Sequence, residues 1–390
     1  MQLNRRWMAG VAGTMLSLAI LGAACSPAAT PTSVPTKAPA AASPTQAPPA
    51  AATSAATAAP KPTAAATAQA TPGKLTPVTF GSPGSTSDAG VYIAMEKGYF
   101  KDLGLDVQLV SFQSGALTIP PLSSGDLDVA GGTISTALFN AIDRGVALRI
   151  VAGKGSSTKG WEFTQEVVRK DLVDSGQYKT VKDLKGKKIA CSSVKSGCEA
   201  KIDFFLRQGG LTINDIDFQA LAYPDMLVAF SNKAIDGADL IEPTLGQAAQ
   251  SGVIAKIPEG APGAIYGGEY QAAELVFSEQ FTKNTDAARR FIMGYIKGER
   301  DYNDAFGGKG INKAAIVSIL IKYTAQKDAA SYDKMEMPYL QPDGKMHVPS
   351  MQMDFDYFKR MGYYTGNTTL NSIINTSFLD YAAQQLGANN

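Results

Sequence analysis

Two kinds of hydrophobic pattern alternate along residues 75–390: short apolar runs, and longer segments with helical spacing. The short runs predict strands at 77–81, 105–111, 127–130 and 147–152. The segment after the first run predicts a helix, because Ser85 and Asp88 have the spacing of a capping box and Gly98 suits a helix end. Strands joined by helices of this length predict parallel pairing within an α/β sheet.

The same alternation then repeats in a second unit. Its predicted strands lie at 163–169, 187–191, 218–221, 237–241 and 253–257. From about residue 272 helical patterns dominate, at 285–305, 312–324, 350–361 and 377–386. We expect these helices to pack on the first unit. Lobe I then comprises 75–160 and 266–390, lobe II comprises 161–265, and the chain crosses between them near 155–162 and 262–272.

The N-terminal segment has the pattern of an export signal. Arg5 and Arg6 precede an apolar run, residues 8–24, that is too short for a stable membrane span. The run ends at Cys25 and resembles a bacterial lipoprotein signal, although the pattern has leucine where Gly22 stands. We therefore expect a signal peptide over 1–24 and an extracytoplasmic protein, anchored to the cell membrane by a lipid on Cys25. An ordinary secretory signal cleaved nearby is the alternative.

Residues 25–74 have the composition of a linker. After the cysteine the segment is almost entirely Ala, Pro, Thr and Ser, without an aromatic or acidic residue. Such a composition cannot bury enough apolar surface to form a core, and its prolines favour extended polyproline II. The linker predicts a domain held away from a membrane.

Charge and rare residues narrow the function classes. The formal net charge is +1, which argues against nucleic acid as a partner, and the single histidine, His347, argues against a His-based triad or a multi-histidine metal site. We expect no cofactor. Cys191 and Cys198 form a close pair that predicts a disulfide in an oxidising compartment, with two free thiols or a redox pair as alternatives.

Four motifs occur in the order found in a known family. Residues 91–107 resemble the opening of the periplasmic binding proteins of the nitrate, sulfonate and thiamine-precursor group. Residues 122–130 are similar to the group's SG-x-x-D-x-A segment, 181–189 to its entry into the second lobe, and 238–243 to its strand ending in Glu-Pro. The resemblance spans 76–260 in the correct order and continues more weakly to the C-terminus.

The resemblance implies a fold and a function. The fold is the two-lobe α/β type II periplasmic-binding fold, whose lobes close around a small molecule. The closed form docks on a membrane ABC permease that works with its ATPase, and the binding protein itself is a monomer. Some relatives are pyrimidine-synthase enzymes that use a histidine and a cysteine-rich segment. In this chain the first loop has no histidine, Cys191 and Cys198 do not form such a cluster, and the export signal argues against a cytosolic enzyme, so we expect no enzyme. A surface adhesin on a stalk is a further alternative.

The candidate ligand-binding residues follow predicted strands, because ligands of α/β sheets bind at the carboxyl ends of strands. They are Ser85, Ser87, Asp88, Tyr92, Gly132 and Thr133 in lobe I, Lys154 and Trp161 at a crossing, and Ser193, Tyr223, Asp225 and Glu242 in lobe II. Tyr92, Trp161 and Tyr223 are stacking candidates, with core packing as the alternative. Asp225 and Glu242 are hydrogen-bonding candidates, with a role at a helix start as the alternative.

The charges of these loops indicate the ligand class. The lobe I loops contain no Arg or Lys to bind a free anion, while Asp88, Asp225 and Glu242 supply acids. This pattern favours a neutral or cationic planar heterocycle, with riboflavin first and a thiamine pyrimidine second. The alternative is an anion, such as an alkanesulfonate, taurine or nitrate, held by helix N-termini.

Overall fold

The computed structural model describes residues 74–387. The expected signal peptide, Cys25 and the linker up to residue 73 lie outside the described residues. Within the described part, no helix is both long enough and apolar enough to cross a membrane.

The strands form two sheets. In chain order the strands are β1 Thr76–Ser82, β2 Leu105–Ser111, β3 Val129–Gly132, β4 Arg149–Ser157, β5 Thr164–Arg169, β6 Lys188–Cys191, β7 Asp217–Ala220, β8 Gly237–Ile241, β9 Ile254–Lys256 and β10 Tyr270–Phe277. The first sheet has the order β2-β1-β3-β10-β4 and the second has the order β7-β6-β8-β5-β9. The expected α/β class with two sheets is confirmed.

One strand in each sheet departs from the expected parallel pairing. β10 runs antiparallel to β3 and β4, and β5 runs antiparallel to β8 and β9. Both strands follow directly after the chain passes from one sheet to the other, so neither is preceded by a crossover helix within its own sheet. The sequence pattern did not predict β10, because Tyr-Gln-Ala-Ala-Glu is a poor strand signal.

Helices connect and cover the sheets. They are α1 Ala89–Glu96, α2 Tyr99–Asp102, α3 Ile119–Ser124, α4 Thr136–Asp143, α5 Lys170–Asp174, α6 Gly197–Arg207, α7 Tyr223–Ser231, α8 Thr244–Gln250, α9 Pro262–Tyr266, α10 Glu279–Lys283, α11 Thr285–Phe306, α12 Lys313–Tyr323, α13 Val348–Arg360, α14 Leu370–Ile373 and α15 Ser377–Leu386. The predicted C-terminal helices over 285–305, 312–324, 350–361 and 377–386 are confirmed as α11, α12, α13 and α15, with shifts of a few residues.

Each sheet has a hydrophobic core on both faces. Leu275 and Phe277 of β10 pack into one core with α1 and α11, whereas Val276 between them packs into a second core with α4 and α13. Val167 and Val168 of β5 divide in the same way between the two cores of the second sheet. Strands with both faces covered hold the loops at their ends in fixed positions, and the candidate site lies on these loops.

Helix α13 ties the second sheet's helices to the C-terminal part of the chain. Tyr357 donates a hydrogen bond from its hydroxyl to Glu199 on α6 at 2.8 Å, and Arg360 lies 2.8 Å from Asp203 on the same helix. The sequence predicted that the C-terminal helices pack on the first unit. The structure differs, because α13 is also bonded to α6 of the second unit.

Candidate functional site

A cleft lies between the two sheets at the carboxyl ends of their parallel strands. Its inner chamber is a cavity of about 50 Å³ to which both sheets contribute. Ser85 and Ser87 follow β1, Thr133 follows β3, and Ser193 follows β6. Tyr223 begins the helix after β7. The loops meet here because parallel strands present their carboxyl ends at one edge of a sheet.

An outer chamber of about 380 Å³ adjoins the inner one. Both chambers are lined by Pro83, Ser85, Tyr223 and Ile241, so they form one continuous cleft. A larger groove of about 700 Å³ lies elsewhere, between α15 and residues 343–348, and none of the expected site residues lines it. The candidate site is therefore the cleft and not the larger groove.

Hydroxyl groups form the wall of the inner chamber on the first sheet's side. Lys154 donates a hydrogen bond from Nζ to Ser87 Oγ at 2.8 Å, and Ser87 Oγ donates to Ser85 Oγ at 3.1 Å. Ser85 Oγ also accepts from the backbone N–H of Ser87 at 3.2 Å, which caps the first helical turn. Thr133 Oγ1 has no hydrogen-bond partner among the described residues. Ser85 and Thr133 are thus able to bond a ligand.

Asp88 lies behind this wall and does not line either chamber. Its Oδ1 is 2.8 Å from Lys154 Nζ, and its Oδ2 accepts a hydrogen bond from Ser82 Oγ at 2.6 Å. The expected capping box does not form, because Ser85 Oγ accepts from the N–H of Ser87 and because Lys154 and Ser82 hold the Asp88 carboxylate. The structure places the Asp88 carboxylate against Lys154, away from the surface of both chambers.

The structure brings only one of the three stacking candidates to the cleft. Tyr92 is fully buried, its ring stacks on Tyr323 at 4.6 Å, and its hydroxyl lies 2.7 Å from Ser82 Oγ. Burial raises the pKa of Tyr92, and the neighbouring Asp88 raises it further. Trp161 packs against Tyr339 at 5.8 Å and lines neither chamber. Both rings therefore pack against core residues, which was the alternative to stacking on a ligand.

Aromatic and aliphatic side chains form the opposite wall of the inner chamber. Tyr223, Phe163 and Ile241 line it from the second sheet's side. Phe163 was not among the expected site residues, although its place directly after the predicted crossing was a usable signal. The expected residue Gly132 also lines the chamber, where a Cβ would lie 2.9 Å from the Cα of Gly115. Glycine is therefore needed there for close backbone packing.

The loop that carries Ser193 is closed by a disulfide and contacts the first lobe. Cys191 and Cys198 are joined by an S–S bond of 2.04 Å. Within the loop Lys195 accepts a hydrogen bond through its backbone oxygen from the Thr136 N–H at 3.1 Å, and the Gly197 N–H donates to Ile134 O at 3.1 Å. The disulfide loop, which carries Ser193, is thereby bonded to residues 134–136 after β3.

The two expected acids of the outer chamber differ in their surroundings. Asp225 is exposed in the first turn of α7. Glu242 is fully buried, and its carboxylate accepts hydrogen bonds from the backbone N–H groups of Gly246 at 2.9 Å and Glu336 at 3.2 Å. Burial raises the pKa of Glu242 to about 7. Glu242 therefore bonds the first turn of α8 through the Gly246 N–H, as the helix-start alternative predicted. It also bonds Glu336 in the segment after α12.

A buried charged cluster beside the cleft was missed by sequence reasoning. Lys201 on α6 lies 2.6 Å from Asp239 Oδ1 and 3.5 Å from Glu166 Oε2, and all three side chains are buried. Glu274 on β10 and Asp354 on α13 are buried nearby, and burial raises the pKa of Glu166, Glu274 and Asp354. The sequence did not reveal this burial, because charged residues on an amphipathic segment usually lie on its solvent-exposed face.

Comparisons with known proteins agree with this architecture. A family model described as NMT1/THI5 like matches residues 85–302. A protein of Brucella abortus (strain 2308), named as a binding protein, is 24% identical over 275 residues, which cover 65% of this chain and 76% of that protein.

Two solved structures are similar in fold. The nitrate-binding protein NrtA from Synechocystis PCC 6803 has a TM-score of 0.65 at 17% identity, covering 81% of this chain and 90% of that chain. The alkanesulfonate-binding protein SsuA from Xanthomonas axonopodis pv. citri, bound to MOPS, has a TM-score of 0.60 at 14% identity, covering 79% of this chain and 100% of that chain. These neighbours confirm the expected periplasmic-binding-protein fold. Since the family model spans more than half of the 390 residues, the chain belongs to the NMT1/THI5-like family.

Proposed function

We propose that the protein is the extracytoplasmic substrate-binding component of an ABC importer. It captures a small organic solute in the cleft and delivers the solute to a membrane permease that works with its ATPase. The family and the two-sheet fold support this function. Neither chamber is lined by a histidine or cysteine within residues 74–387, which supports a binding protein over an enzyme. In this proposal Cys25 carries the lipid anchor and the protein acts as a monomer.

One observation carries the proposal: the two walls of the inner chamber come from different sheets and differ in chemistry. Ser85, Thr133 and Lys154 present polar groups from one side, and Phe163 and Tyr223 present aromatic rings from the other. A ligand with a polar end and a flat or apolar body contacts both walls at once. Such a ligand stabilises the closed arrangement, because these contacts are lost when the lobes separate.

The size of the chambers favours a small ligand. Pockets for drug-sized molecules measure about 300–1,000 Å³, whereas the inner chamber is a cavity of about 50 Å³. Riboflavin, the first ligand expected from the sequence, requires much of the outer chamber of about 380 Å³ as well. We therefore place a single polar ring, such as a thiamine pyrimidine, ahead of riboflavin.

A small oxyanion is the second candidate ligand. It is favoured by the hydroxyl groups of Ser85 and Thr133 at the chamber wall, since hydroxyl donors bind oxyanions. The names of the structural neighbours NrtA and SsuA refer to nitrate and alkanesulfonate and point in the same direction.

Replacing Tyr223 with alanine tests the site. Native mass spectrometry of the purified full chain identifies any co-purified solute, and calorimetric titration with hydroxymethylpyrimidine, riboflavin and taurine ranks the ligands. Tyr223→Ala is expected to weaken binding of the best ligand about tenfold or more, because the aromatic wall is lost. Ser231→Ala on the same helix, outside both chambers, is the control and retains full affinity. Equal affinity of both variants would place the ligand elsewhere.

A further inference from the structure

Lys154 and Asp88 form a buried ion pair at the wall of the inner chamber. Among the residues that the structure describes, Lys154 is the one charged side chain that lines this chamber. Its Nζ lies 2.8 Å from Asp88 Oδ1, and the two side chains are 1% and 0% exposed. The positive charge at the chamber wall is therefore compensated from behind, within the protein.

The surrounding contacts fix the pair in this arrangement. Ser82 Oγ donates to the second carboxylate oxygen of Asp88 at 2.6 Å, and Lys154 Nζ donates to Ser87 Oγ at 2.8 Å. The absence of a side chain at Gly131 makes room for both partners, since a Cβ there would lie 2.6 Å from Lys154 Cε and 2.7 Å from Asp88 Oδ1. The Asp88 carboxylate is thus held between Ser82 and Lys154, where it neutralises the ammonium.

The neighbouring ionisable groups add no second cation. The Tyr92 hydroxyl donates to Asp88 Oδ2 at 3.4 Å, and the charge of Lys154 opposes the rise that burial causes in the pKa of Glu274 on β10. Asp354 raises the pKa of Glu274, burial raises the pKa of both carboxyl groups, and Lys201 beside Asp354 is already paired with Asp239 and Glu166. Tyr92, Glu274 and Asp354 are acids, so each is either neutral or negative. The inner chamber is therefore neutral when these acids are protonated and becomes more negative when they ionise.

A neutral chamber without an available cation discriminates against anions. A buried anion loses its hydration, and this loss is costly unless a charge of opposite sign is free to pair with it. We propose that Asp88 is a specificity-determining residue: by neutralising Lys154 it makes the inner chamber select an uncharged head group and exclude sulfonate-like anions. This inference rests on the proposed function, and it narrows the ligand to compounds whose buried end is uncharged.

The test compares two probes of similar shape and different charge, methanesulfonate and the uncharged methanesulfonamide. Binding of each to the full chain is measured by isothermal titration calorimetry at fixed ionic strength. The wild type is expected to bind methanesulfonamide at least about tenfold more tightly than methanesulfonate. Asp88→Asn frees the Lys154 charge and is expected to raise methanesulfonate affinity about tenfold or more, with little change for methanesulfonamide.

A double variant and a melting experiment guard against a folding defect. D88N/K154Q removes both charges and is expected to exclude methanesulfonate as the wild type does, whereas D88N alone admits methanesulfonate. If D88N is too unstable for calorimetry, its melting temperature is expected to rise with methanesulfonate and not with equal chloride, because a ligand that binds the folded state stabilises it.

Two outcomes overturn the inference. In the first, the wild type binds methanesulfonate as tightly as methanesulfonamide. In the second, D88N gains no affinity for methanesulfonate and its melting temperature does not rise with methanesulfonate. Failure of the proposed function has a different signature. In that case wild type binds no solute and carries none after purification, while D88N still acquires affinity for methanesulfonate.

Discussion

Replacing Lys201 with methionine is expected to lower the free energy of unfolding by about 3–5 kcal/mol at pH 7.5. The Lys201 ammonium lies 2.6 Å from Asp239 Oδ1 and 3.5 Å from Glu166 Oε2, and the side chains of all three residues are at most 4% exposed. Without the ammonium the carboxylates remain buried and unpaired. Methionine has a similar length, so the loss measures the missing charge more than a cavity.

The loss is expected to depend on pH. An unpaired buried carboxyl group takes up a proton more readily than a paired one, so acid removes the uncompensated charge. At pH 5 the expected loss for K201M therefore falls to about 2 kcal/mol. Urea unfolding of the full chain, followed by circular dichroism at pH 7.5 and pH 5, measures both values.

A surface pair provides the matched control for K201M. Lys170 lies 2.7 Å from Asp174 on α5, but the two side chains are 49% and 57% exposed. Lys170→Met is expected to cost less than about 1 kcal/mol at either pH, because water screens and solvates an exposed pair. A K201M loss as small as that of the control would mean that water reaches the Lys201 cluster.

The alternation of strands and helices made the two-lobe α/β fold predictable. Short apolar runs gave nine of the ten strands, since only β10 was not expected. The strand-end rule placed Ser85, Thr133 and Tyr223 at the cleft because the carboxyl ends of parallel strands converge there, whatever the helices do. These successes come from periodicity and chain direction, which are local properties of a sequence.

The side-chain contacts of the site could not be predicted from the sequence, because they depend on the direction in which a side chain points and on partners far away in the chain. Tyr92 lies on a helix that is buried on nearly every side, so its helical position did not reveal that its ring meets Tyr323. Lys154 was expected at a crossing, but its pairing with Asp88 joins positions 66 residues apart and follows only from the sheet order. Glu242 was expected at a strand end, but its bond to the Glu336 N–H required the fold.

Glu242 gives the second large expected effect, a loss of stability as pH rises. Burial raises the pKa of Glu242 to about 7 in the folded protein, whereas a glutamate in an unfolded chain titrates near 4.3. Between these values the folded state binds more protons than the unfolded state, so stability falls with increasing pH. The stabilising contribution is complete below about pH 4.3 and is lost as pH rises through about 7.

The variant Glu242→Gln isolates this contribution, because glutamine is neutral at every pH and keeps one acceptor for the Gly246 or Glu336 N–H. Between pH 5 and pH 7.5 the wild type is expected to lose about 2 kcal/mol more unfolding free energy than E242Q. Glu166, Glu274 and Asp354 also have raised pKa values and act in the same direction. They contribute equally to both proteins, so the difference between the two pH profiles reports Glu242 alone.

Glu279→Gln is a control with the opposite sign. Lys283 lowers the pKa of Glu279 on the surface, so Glu279 contributes stability that is lost as pH falls. Its removal should leave the decline between pH 5 and pH 7.5 at least as steep as in the wild type. Parallel profiles for wild type and E242Q would mean that the Glu242 carboxylate is solvated in the folded protein. A flatter profile for E242Q alone would identify Glu242 as a carboxyl group whose burial makes stability fall between pH 5 and pH 7.5.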